Sequence, residues 1–530
     1  MQTIRCSWIH CAKTWVVVLA SSLFLSNAAQ ANVALPTIFS DHMVLQRNMT
    51  LPVWGWADAG EEVTVSISGQ THSTTADENG KWMVKLEPLQ VGAPLTMTVQ
   101  GKNRIQVSDI LVGEVWICSG QSNMQWSVNA TWNSDLTIAS ADFPKIRITT
   151  VNTPGVQKPL EDYQGRWDEI TPETVADFSA VGYFFGKELY QRLDVPIGLI
   201  DNAWGGSSCE AWVRRDHFAD NELYKPLMER WAETEAKPEN AEPYAKFEAD
   251  LFDTWQAEWI AAKKNGTDVR DLPNPPAWPR GPMVNQHRPG NLYNGRIKPI
   301  MPFAVKGVIW YQGESNAGRA YQYRELFPLM IQNWREDWGQ GNFSFYWVQL
   351  ADFMDEQPDP VQSSWAELRE AQTMTMDKLP HTGEAVIIDI GEASDIHPRN
   401  KEEVGRRLAR WAMAQDYSLD VAHQSPRYRE MSVEGNKAIL KFDHIGTGLR
   451  TVDAKTAQGF AIAGEDQNFV WATAEVKGDT IEVSAEGVTA PVAVRYAWAD
   501  NPVCNIYSQQ GLPLTPFRTD DWAGVTADAR

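Results

Sequence analysis

The pattern of hydrophobic and polar positions divides the chain into regions, and the first region is strand-like. Between residues 32 and 107 apolar and polar residues alternate, as in "EEVTVSISG" and "KWMVKLEPL", with turn residues such as "DENG" between the runs. A period of two residues is typical of short strands with one buried face. The pattern therefore predicts an N-terminal β-sandwich-like domain.

The central region, residues 108–424, has a different pattern of apolar and polar residues. Runs such as "EVWICSG", "PIGLIDNAWGG", "VKGVIWYQGE" and "EAVIIDIGE" alternate with amphipathic segments such as "FSAVGYFFGKELYQRLD". Strands that are apolar along their whole length are typical of a parallel sheet covered by helices on both faces. We therefore predict an α/β domain with three layers, interrupted at about residues 216–282 by a helical insertion, because connections in such sheets are normally short.

Strand-like patterns return near the C-terminus. Runs such as "KAILKFDHI", "TIEVSAEG" and "VAVRYAW" occupy residues 425–530. They predict a C-terminal β-rich domain.

The first 31 residues resemble a secretory signal. Arg5 and Lys13 precede or border an apolar segment, residues 15–25, and Ala29-Gln30-Ala31 fits an A-x-A cleavage site. A membrane anchor is the alternative, but this segment is short for a span and ends in a cleavage pattern. We predict cleavage after Ala31 and export to the periplasm or the medium, with no membrane association afterwards because no later run is long and apolar enough.

Charge and cysteine content exclude several function classes. The formal net charge of −21 argues against nucleic acid and anionic membranes as partners, since both favour clustered Lys and Arg. Once the signal is removed, only Cys118, Cys209 and Cys504 remain, too few and too scattered for a disulfide framework or a zinc site. A Cys118–Cys209 bridge and buried free thiols both fit, and we expect no metal and no other cofactor.

Polar residues cluster where the predicted strands of the central region end. Four such ends carry a hydroxyl, a Gly-Gly pair, amides and an imidazole, in the stretches "GQSNM", "WGGSS", "QGESN" and "DIHPRN". Ligands and catalytic groups in open parallel sheets gather at the carboxyl ends of strands. The tryptophan content, 24 residues, weakly favours a carbohydrate ligand, because flat aromatic faces suit sugar rings.

The residue types at these ends are those of acyl transfer. A serine hydroxyl needs a base, and Ser122 and His397 are the candidate nucleophile and base. Asp395 is the nearest carboxylate that could orient the imidazole. The oxyanion requires preformed donors, for which the backbone N–H groups of Ser122 and Gly206 and the side-chain amides of Gln312 or Asn316 are candidates.

These blocks resemble the SGNH-hydrolase superfamily, in its sialate O-acetylesterase-like branch. The resemblance rests on "GQSNMQW", "WGGSSCEAW", "WYQGESNAG" and "DIHPRNK" in that order, extends to "FSDHMVLQRN" and "HRPGNLYNG", and covers essentially the whole chain after residue 31. It implies a flavodoxin-like α/β/α domain and a metal-free esterase that removes acetyl groups from sugar hydroxyls. It also implies Ser122 as nucleophile, His397 as base, Gly206 as an oxyanion donor, and Asn316 or Gln312 as the third-block amide.

The histidine block departs from the superfamily pattern. The usual acid lies three residues before the histidine, where this chain has Ser394, whereas Asp395 lies two before. Asp389, Glu392 or a backbone carbonyl are therefore alternatives to Asp395 as the group that orients His397.

Several nearby polar residues have structural interpretations. Asn400 and Glu403 fit an N-cap and capping box of a following helix, and Glu314 fits a carboxylate that orders its own loop. Arg288 and Arg319 are candidates to bind a substrate carboxylate.

The predicted substrate is an acetylated glycan or oligosaccharide. Acetylated sialic acid is the target that the resemblance implies, and an acetylated hemicellulose such as xylan or xyloglucan is the alternative. A glycoside hydrolase with paired carboxylates and a catalytically inactive carbohydrate-binding protein are the alternatives of another class. Nothing in the sequence bears on the oligomeric state.

Overall fold

A computed structural model describes residues 32–267 and 271–530, so the predicted signal peptide lies outside the described residues. The α-helices are α1 (Ser122–Gln125), α2 (Ser134–Ala139), α3 (Pro172–Val175), α4 (Ala180–Leu193), α5 (Lys225–Glu235), α6 (Pro238–Ala249), α7 (Gln256–Lys264), α8 (Ala320–Trp338), α9 (Ser364–Lys378) and α10 (Lys401–Gln415).

The strands fall into three groups along the chain. The first group is β1 (Val44–Gln46), β2 (Leu51–Trp56), β3 (Glu62–Ile67), β4 (Gln70–Thr75), β5 (Lys81–Leu86) and β6 (Leu95–Gln100). The second is β7 (Arg104–Gly120), β8 (Phe143–Thr150), β9 (Asp168–Ile170), β10 (Ile197–Ala203), β11 (Gly307–Tyr311), β12 (Ser344–Val348) and β13 (Thr382–Ala385). The third is β14 (Arg427–Glu434), β15 (Lys437–Asp443), β16 (Leu449–Thr451), β17 (Phe460–Ala463), β18 (Val470–Trp471), β19 (Thr473–Lys477), β20 (Thr480–Ser484), β21 (Ala493–Tyr496), β22 (Ile506–Ser508) and β23 (Phe517–Arg518).

The central sheet has the strand order β13-β12-β11-β7-β10-β8-β9. Its strands pair in parallel except β9, which is antiparallel to β8. Every residue of β10, β11 and β12 is buried, which explains why these segments read as continuous apolar runs. The predicted fold class, an α/β domain with a parallel sheet flanked by β-rich regions, is confirmed.

Helices cover both faces of this sheet. On one face α4 packs against α10, and the indole of Trp116 lies 5.0 Å from the ring of Phe185. On the other face α8 packs against α9, and Trp310 of β11 contacts Phe327 and Trp334 of α8. Large aromatic side chains thus fill both layers and fix the helices on the sheet.

Strand β7 belongs to two sheets and therefore joins two regions of the chain. The first residues of β7 pair antiparallel with β6. Residues 114–120 of β7 pair in parallel with β10, and residues 116–120 also pair in parallel with β11 on the other side. The boundary predicted between residues 107 and 108 falls inside this strand. The buried core of the N-terminal strands is accordingly continuous with one face of the central sheet.

The chain changes direction at β7. After β7 it forms β8 and β10 on one side of that strand, and it then crosses to form β11 on the other side. Connections that leave a parallel sheet in opposite directions open a crevice at the carboxyl end of the strand between them. Ser122 begins α1 two residues after β7 ends, so it lies at that crevice.

The C-terminal strands attach to the central region through Arg369 of α9. This buried guanidinium donates hydrogen bonds to the carbonyls of Leu350 and Ala351 and to those of Ala499 and Asp500, at 2.6–2.9 Å. One planar cation thus satisfies four backbone acceptors from two segments.

The segment predicted as a helical insertion carries α5, α6 and α7. Its side chains form a small separate core that includes Tyr244, Trp255 and Trp259. In residues 32–267 and 271–530, no helix is long and apolar enough to cross a membrane.

Candidate active site

The loop that carries Ser122 leaves β7 through a glycine that no other residue could replace. Gly120 has φ of +137°, and a Cβ at this position would lie 2.2 Å from the carbonyl oxygen of Tyr311. The next residue, Gln121, donates its N–H to the same oxygen at 2.9 Å. The close approach of β11 therefore fixes the turn that presents Ser122 as the first residue of α1.

The hydroxyl of Ser122 contacts the imidazole of His397. The Ser122 Oγ and the His397 Nε2 are 2.9 Å apart, although the residues are 275 positions apart in sequence. The imidazole stacks on the indole of Trp126, with ring centroids 4.8 Å apart and an interplanar angle of 13°. The Trp126 ring therefore restrains the plane of the imidazole.

The three candidate carboxylates occupy different positions around His397. The Asp395 Oδ1 accepts a hydrogen bond from the backbone N–H of His397 at 2.9 Å and lies 3.4 Å from its Nδ1. The carboxylate of Asp389 forms a bidentate pair with Arg407 at 2.6 and 2.7 Å. Glu392 accepts from the N–H of Arg399 at 2.8 Å. Of these groups, only Asp395 has a recorded contact with the imidazole.

Two backbone N–H groups, that of Ser122 itself and that of Gly206, are available to bind an anion. Among the described residues, the N–H groups of Ser122 and Gly206 have no hydrogen-bond acceptor. Gly206 has φ of +68°, and Gly205 lies against Ser122 with its N–H donated to the Gln125 side chain at 2.9 Å. The Gly-Gly pair thus lets the backbone approach the nucleophile closely.

The two third-block amides lie in a buried hydrogen-bond network. Gln312 donates both N–H groups, to the Ser207 carbonyl at 3.2 Å and to the Asn316 Oδ1 at 2.7 Å, and therefore has none left for an oxyanion. The Asn316 Nδ2 donates to Glu210 at 2.9 Å and retains one further N–H. Of the two predicted alternatives, only Asn316 keeps a free donor.

Sequence reasoning missed a buried cluster behind the nucleophile. The Asn123 Nδ2 donates to the Glu314 Oε1 at 2.6 Å and to the carbonyl of Ile396 at 2.9 Å, and its Oδ1 accepts from the ammonium of Lys401. Asn123 follows Ser122, and Ile396 precedes His397. One amide side chain therefore ties the nucleophile loop, the third block and the histidine loop together. Glu314 orders this cluster, in line with its structural interpretation.

A signal for Lys401 does exist in the sequence. It is the first residue of α10, after the N-cap Asn400, whose side chain accepts from the Glu403 N–H at 3.3 Å. A cation is unfavourable at a helix N-terminus, so a lysine there indicates an acidic partner. The N-cap prediction is confirmed, but the Glu403 carboxylate binds Arg407 instead of closing a capping box.

Burial shifts the pKa values of this cluster. Loss of solvent lowers the pKa of Lys401 to about 7, with Glu314 opposing the shift, and raises the pKa of the Glu314 carboxyl. Burial also lowers the pKa of His397 below its usual 6.5, helped by the charge of Lys401 and opposed by Asp395. The imidazole is therefore neutral near pH 7, as a general base must be.

A cavity of about 520 Å³ begins beside the Gly-Gly loop. Ser315, whose hydroxyl donates to the Gly206 carbonyl at 3.0 Å, lines it together with Trp231, His287 and Arg319. Arg319 is already paired with the buried Glu210. Arg288 does not line this cavity and binds Glu235 and Asn291.

The cysteines and a cluster of acidic residues were the other candidates for a functional centre in residues 32–267 and 271–530. Cys118 and Cys209 are both buried free thiols, so the bridge between them is absent. In the described ranges, the one group with metal-ligand spacing is His42, Asp109 and Glu169. The guanidinium of Arg147 already pairs with both carboxylates and supplies their counter-charge.

Taken together, an α/β/α fold with a serine hydroxyl against a neutral imidazole at its switch point is the arrangement typical of serine-type hydrolases. Residues 112–250 and 277–414 match the model of the family described as carbohydrate esterase, sialic acid-specific acetylesterase. The chain belongs to this family of carbohydrate esterases, which act on carboxylic esters, and the predicted resemblance is confirmed.

Individual relatives agree with this assignment. The chain is 27% identical to a sialate O-acetylesterase of Mus musculus, with 94% of this chain and 97% of that protein covered. It is 26% identical to a sialate O-acetylesterase of Homo sapiens, with 94% and 95% covered. The crystal structure of a carbohydrate acetylesterase from Xanthomonas citri is similar at 38% identity and a TM-score of 0.77, covering 92% of this chain and all (100%) of that one. These findings favour an acetylated carbohydrate as substrate over the glycoside hydrolase alternative.

The electrostatic effect of the Lys401 ammonium on His397 predicts a measurable shift in the pKa of the imidazole. Replacing the cation in Lys401→Met should raise the pKa of His397, because the charge that opposes protonation of the imidazole is lost. The ammonium is largely protonated below pH 6.5, where His397 titrates, so its effect falls in the measured range. An NMR titration of histidine-labelled protein checks this, with His397→Gln identifying the signal.

Arg406→Met is the matched control, since it removes an exposed cation from the same helix, where Arg406 pairs with Glu402. Arg406→Met should leave the pKa of His397 unchanged. An unchanged or lower pKa of His397 in Lys401→Met contradicts the electrostatic role assigned to the lysine.

Proposed function

We propose that the protein removes O-acetyl groups from carbohydrate through an acetyl-enzyme formed on Ser122. The observation that carries this proposal is the 2.9 Å contact between the Ser122 Oγ and the His397 Nε2. A hydroxyl at this distance can transfer its proton to the imidazole as it attacks a carbonyl. Ser122 is the proposed nucleophile and His397 the proposed base.

In the first half-reaction the Ser122 Oγ attacks the acetyl carbonyl carbon, and its proton passes to the His397 Nε2. The oxyanion accepts hydrogen bonds from the free N–H groups of Ser122 and Gly206, with the spare N–H of Asn316 as the proposed third donor. The bond between the carbonyl carbon and the sugar oxygen then breaks. That oxygen takes the proton from His397, which leaves an acetyl ester on Ser122.

In the second half-reaction water attacks this ester. His397 accepts a proton from the water, acetate departs, and Ser122 recovers its proton from the imidazolium. The base returns to its neutral form, which its lowered pKa favours near pH 7. The net change is one ester hydrolysed to acetate and a sugar hydroxyl, without any metal or cofactor.

Asp395 is the proposed acid partner of the imidazole. Its Oδ1 lies 3.4 Å from the His397 Nδ1, and it opposes the lowering of the His397 pKa. Both observations favour a carboxylate that stabilises the imidazolium during turnover. Asp389 is a weaker candidate because its two oxygens already bind Arg407.

The names of the relatives support a proposal for which acetylated sugar is the substrate. The family description and the mammalian relatives name sialate esters, which makes O-acetylated sialic acid the first proposed substrate. The relative of highest identity among those described above is named only a carbohydrate acetylesterase. Acetylated xylan and xyloglucan are therefore the second proposed substrates.

Ser122→Ala should lose nearly all acetate release, by about 10⁴-fold or more, because no other group can form the acetyl-enzyme. The measurement is acetate released from O-acetylated sialic acid, acetylated xylan and acetylated xyloglucan. Ser127→Ala, which removes a nearby hydroxyl bonded to Asn129 at 2.7 Å, is the control and should stay active. Substantial turnover by a folded Ser122→Ala variant would reject the mechanism.

Asp395→Asn should lower turnover by about 10²- to 10⁴-fold while leaving the melting temperature near that of the native protein. An amide cannot stabilise the imidazolium and can favour the wrong tautomer of His397. Asp389→Asn is the comparison variant, and it should mainly lower the melting temperature because it breaks the buried pair with Arg407. An Asp395→Asn variant with native turnover would reject Asp395 as the acid partner of His397. Glu392→Gln would then be the next variant to assay.

Export is proposed from the sequence of residues 1–31. N-terminal sequencing of the protein recovered from the periplasm or the medium should begin at Asn32. Ala31→Phe should block cleavage, because the site requires a small residue. A full-length chain retained in the cytoplasm would contradict this proposal.

A further inference from the structure

Few tryptophans among the described residues have a large part of the indole exposed to solvent. In the parts of the chain that the structure describes, the tryptophans with large exposure are Trp132 at 55%, Trp471 at 44% and Trp278 at 40%. An exposed indole leaves a large apolar face in water, which is unfavourable unless a ligand covers it. Two of these three side chains lie beside loops of the active site.

Trp132 is attached to the histidine loop. Its backbone N–H donates to the carbonyl of Arg399 at 3.3 Å, two residues after His397. The preceding Thr131 is buried and its hydroxyl donates to the Val128 carbonyl at 2.8 Å. The following Asn133 has φ of +53°. A fixed turn on each side therefore restrains the backbone of this exposed tryptophan beside the histidine loop.

Trp278 lies beside the Gly-Gly loop. Its ring centroid is 5.7 Å from that of Trp204, the residue directly before Gly205. Trp204 is itself held by the guanidinium of Arg296, 4.5 Å from its ring centroid. Prolines at 273, 275, 276 and 279 restrict the backbone on both sides of Trp278. The exposed ring is thus presented with little conformational freedom to lose on binding.

From these positions we infer that Trp132 and Trp278 bind the sugar units that flank the acetylated unit, so that the ligand is an oligosaccharide chain rather than a single sugar. The apolar C–H faces of pyranose rings match flat indole faces in shape and polarity. Neutral flanking sugars are the class that fits, because a net charge of −21 repels a polyanionic chain. This inference rests on the proposed function, since it places both rings relative to Ser122 and His397.

The test compares short and long substrates that carry the same ester. One series is acetylated xylose against acetylated xylohexaose, and the other is O-acetylated sialic acid against the same sugar in sialyllactose. In at least one series, the native protein should show a kcat/KM about tenfold or more higher for the longer substrate. Trp132→Ala and Trp278→Ala should each reduce this long-to-short ratio by about tenfold, as loss of a buried aromatic anchor does elsewhere.

Trp471→Ala is the matched control. It removes an equally exposed indole from β18, whose Nε1 donates to the Pro358 carbonyl at 2.7 Å, and it should keep the native ratio. Trp132→Phe and Trp278→Phe should recover much of the ratio, because a smaller flat ring can still stack. Melting temperatures confirm that each variant is folded.

The outcomes separate the two proposals. A long-to-short ratio near one in both series, or a ratio that the alanine variants leave unchanged, overturns the chain-binding inference while the esterase stands. Absence of acetate release from every substrate overturns the proposed function itself. A ratio lost equally in Trp471→Ala also contradicts the inference, because the effect would then not belong to the active-site loops.

Discussion

The active site depends on one side-chain amide, that of Asn123. Its hydrogen bonds reach Glu314 and the Ile396 carbonyl, and it accepts one from Lys401. Burying an ammonium and a carboxylate is costly, and removing one member of such a set usually destabilises a protein by about 3–5 kcal/mol. Asn123 offsets part of this cost because its amide bonds to both groups, although the Glu314 Oε2 has no hydrogen-bond partner among the described residues. The same bonds help to hold Ser122, which precedes Asn123, and His397, which follows Ile396, at contact distance.

The fold could be predicted from periodicity, and the reacting residues from their positions at strand ends. The proximity of Ser122 and His397 could be predicted because Ser122 follows β7, His397 lies in the loop after β13, and the carboxyl ends of parallel strands share one edge of the sheet. The bonding of side-chain amides could not be predicted in this way. Gln312 and Asn316 are equivalent candidates in the sequence. In the structure both N–H groups of the Gln312 amide are already donated, to the Ser207 carbonyl and to the Asn316 Oδ1, because of how the neighbouring loops pack. Long-range partners such as Lys401 and Asn123 likewise depend on packing.

The orientation of the imidazole has several sources. The contact from Asp395 to the His397 Nδ1, at 3.4 Å, is long for a hydrogen bond, whereas the stacked indole of Trp126 restrains the ring plane. The Asp395 carboxylate also fixes the backbone N–H of His397 at 2.9 Å. With the ring held by packing, the main contribution of the carboxylate is its charge. In the proposed mechanism, this accounts for an acid that lies two residues before the histidine, where three is usual.

The charged side chains around the cavity beside the Gly-Gly loop affect which sugars that cavity can bind. Arg319 lines the cavity, but Glu210 accepts from it and from Asn316, so its positive charge is largely compensated. Burial also lowers the pKa of His287, which keeps that side chain neutral near pH 7. Arg230 also lines the cavity, and its guanidinium donates to the carbonyl oxygen of Arg530 at 2.9 Å. A carboxylate that enters the cavity would therefore meet the charge of Arg230. Ion pairing in this cavity therefore depends on Arg230, and hydroxyl groups and ring faces can contact the polar and aromatic side chains that line the rest of it.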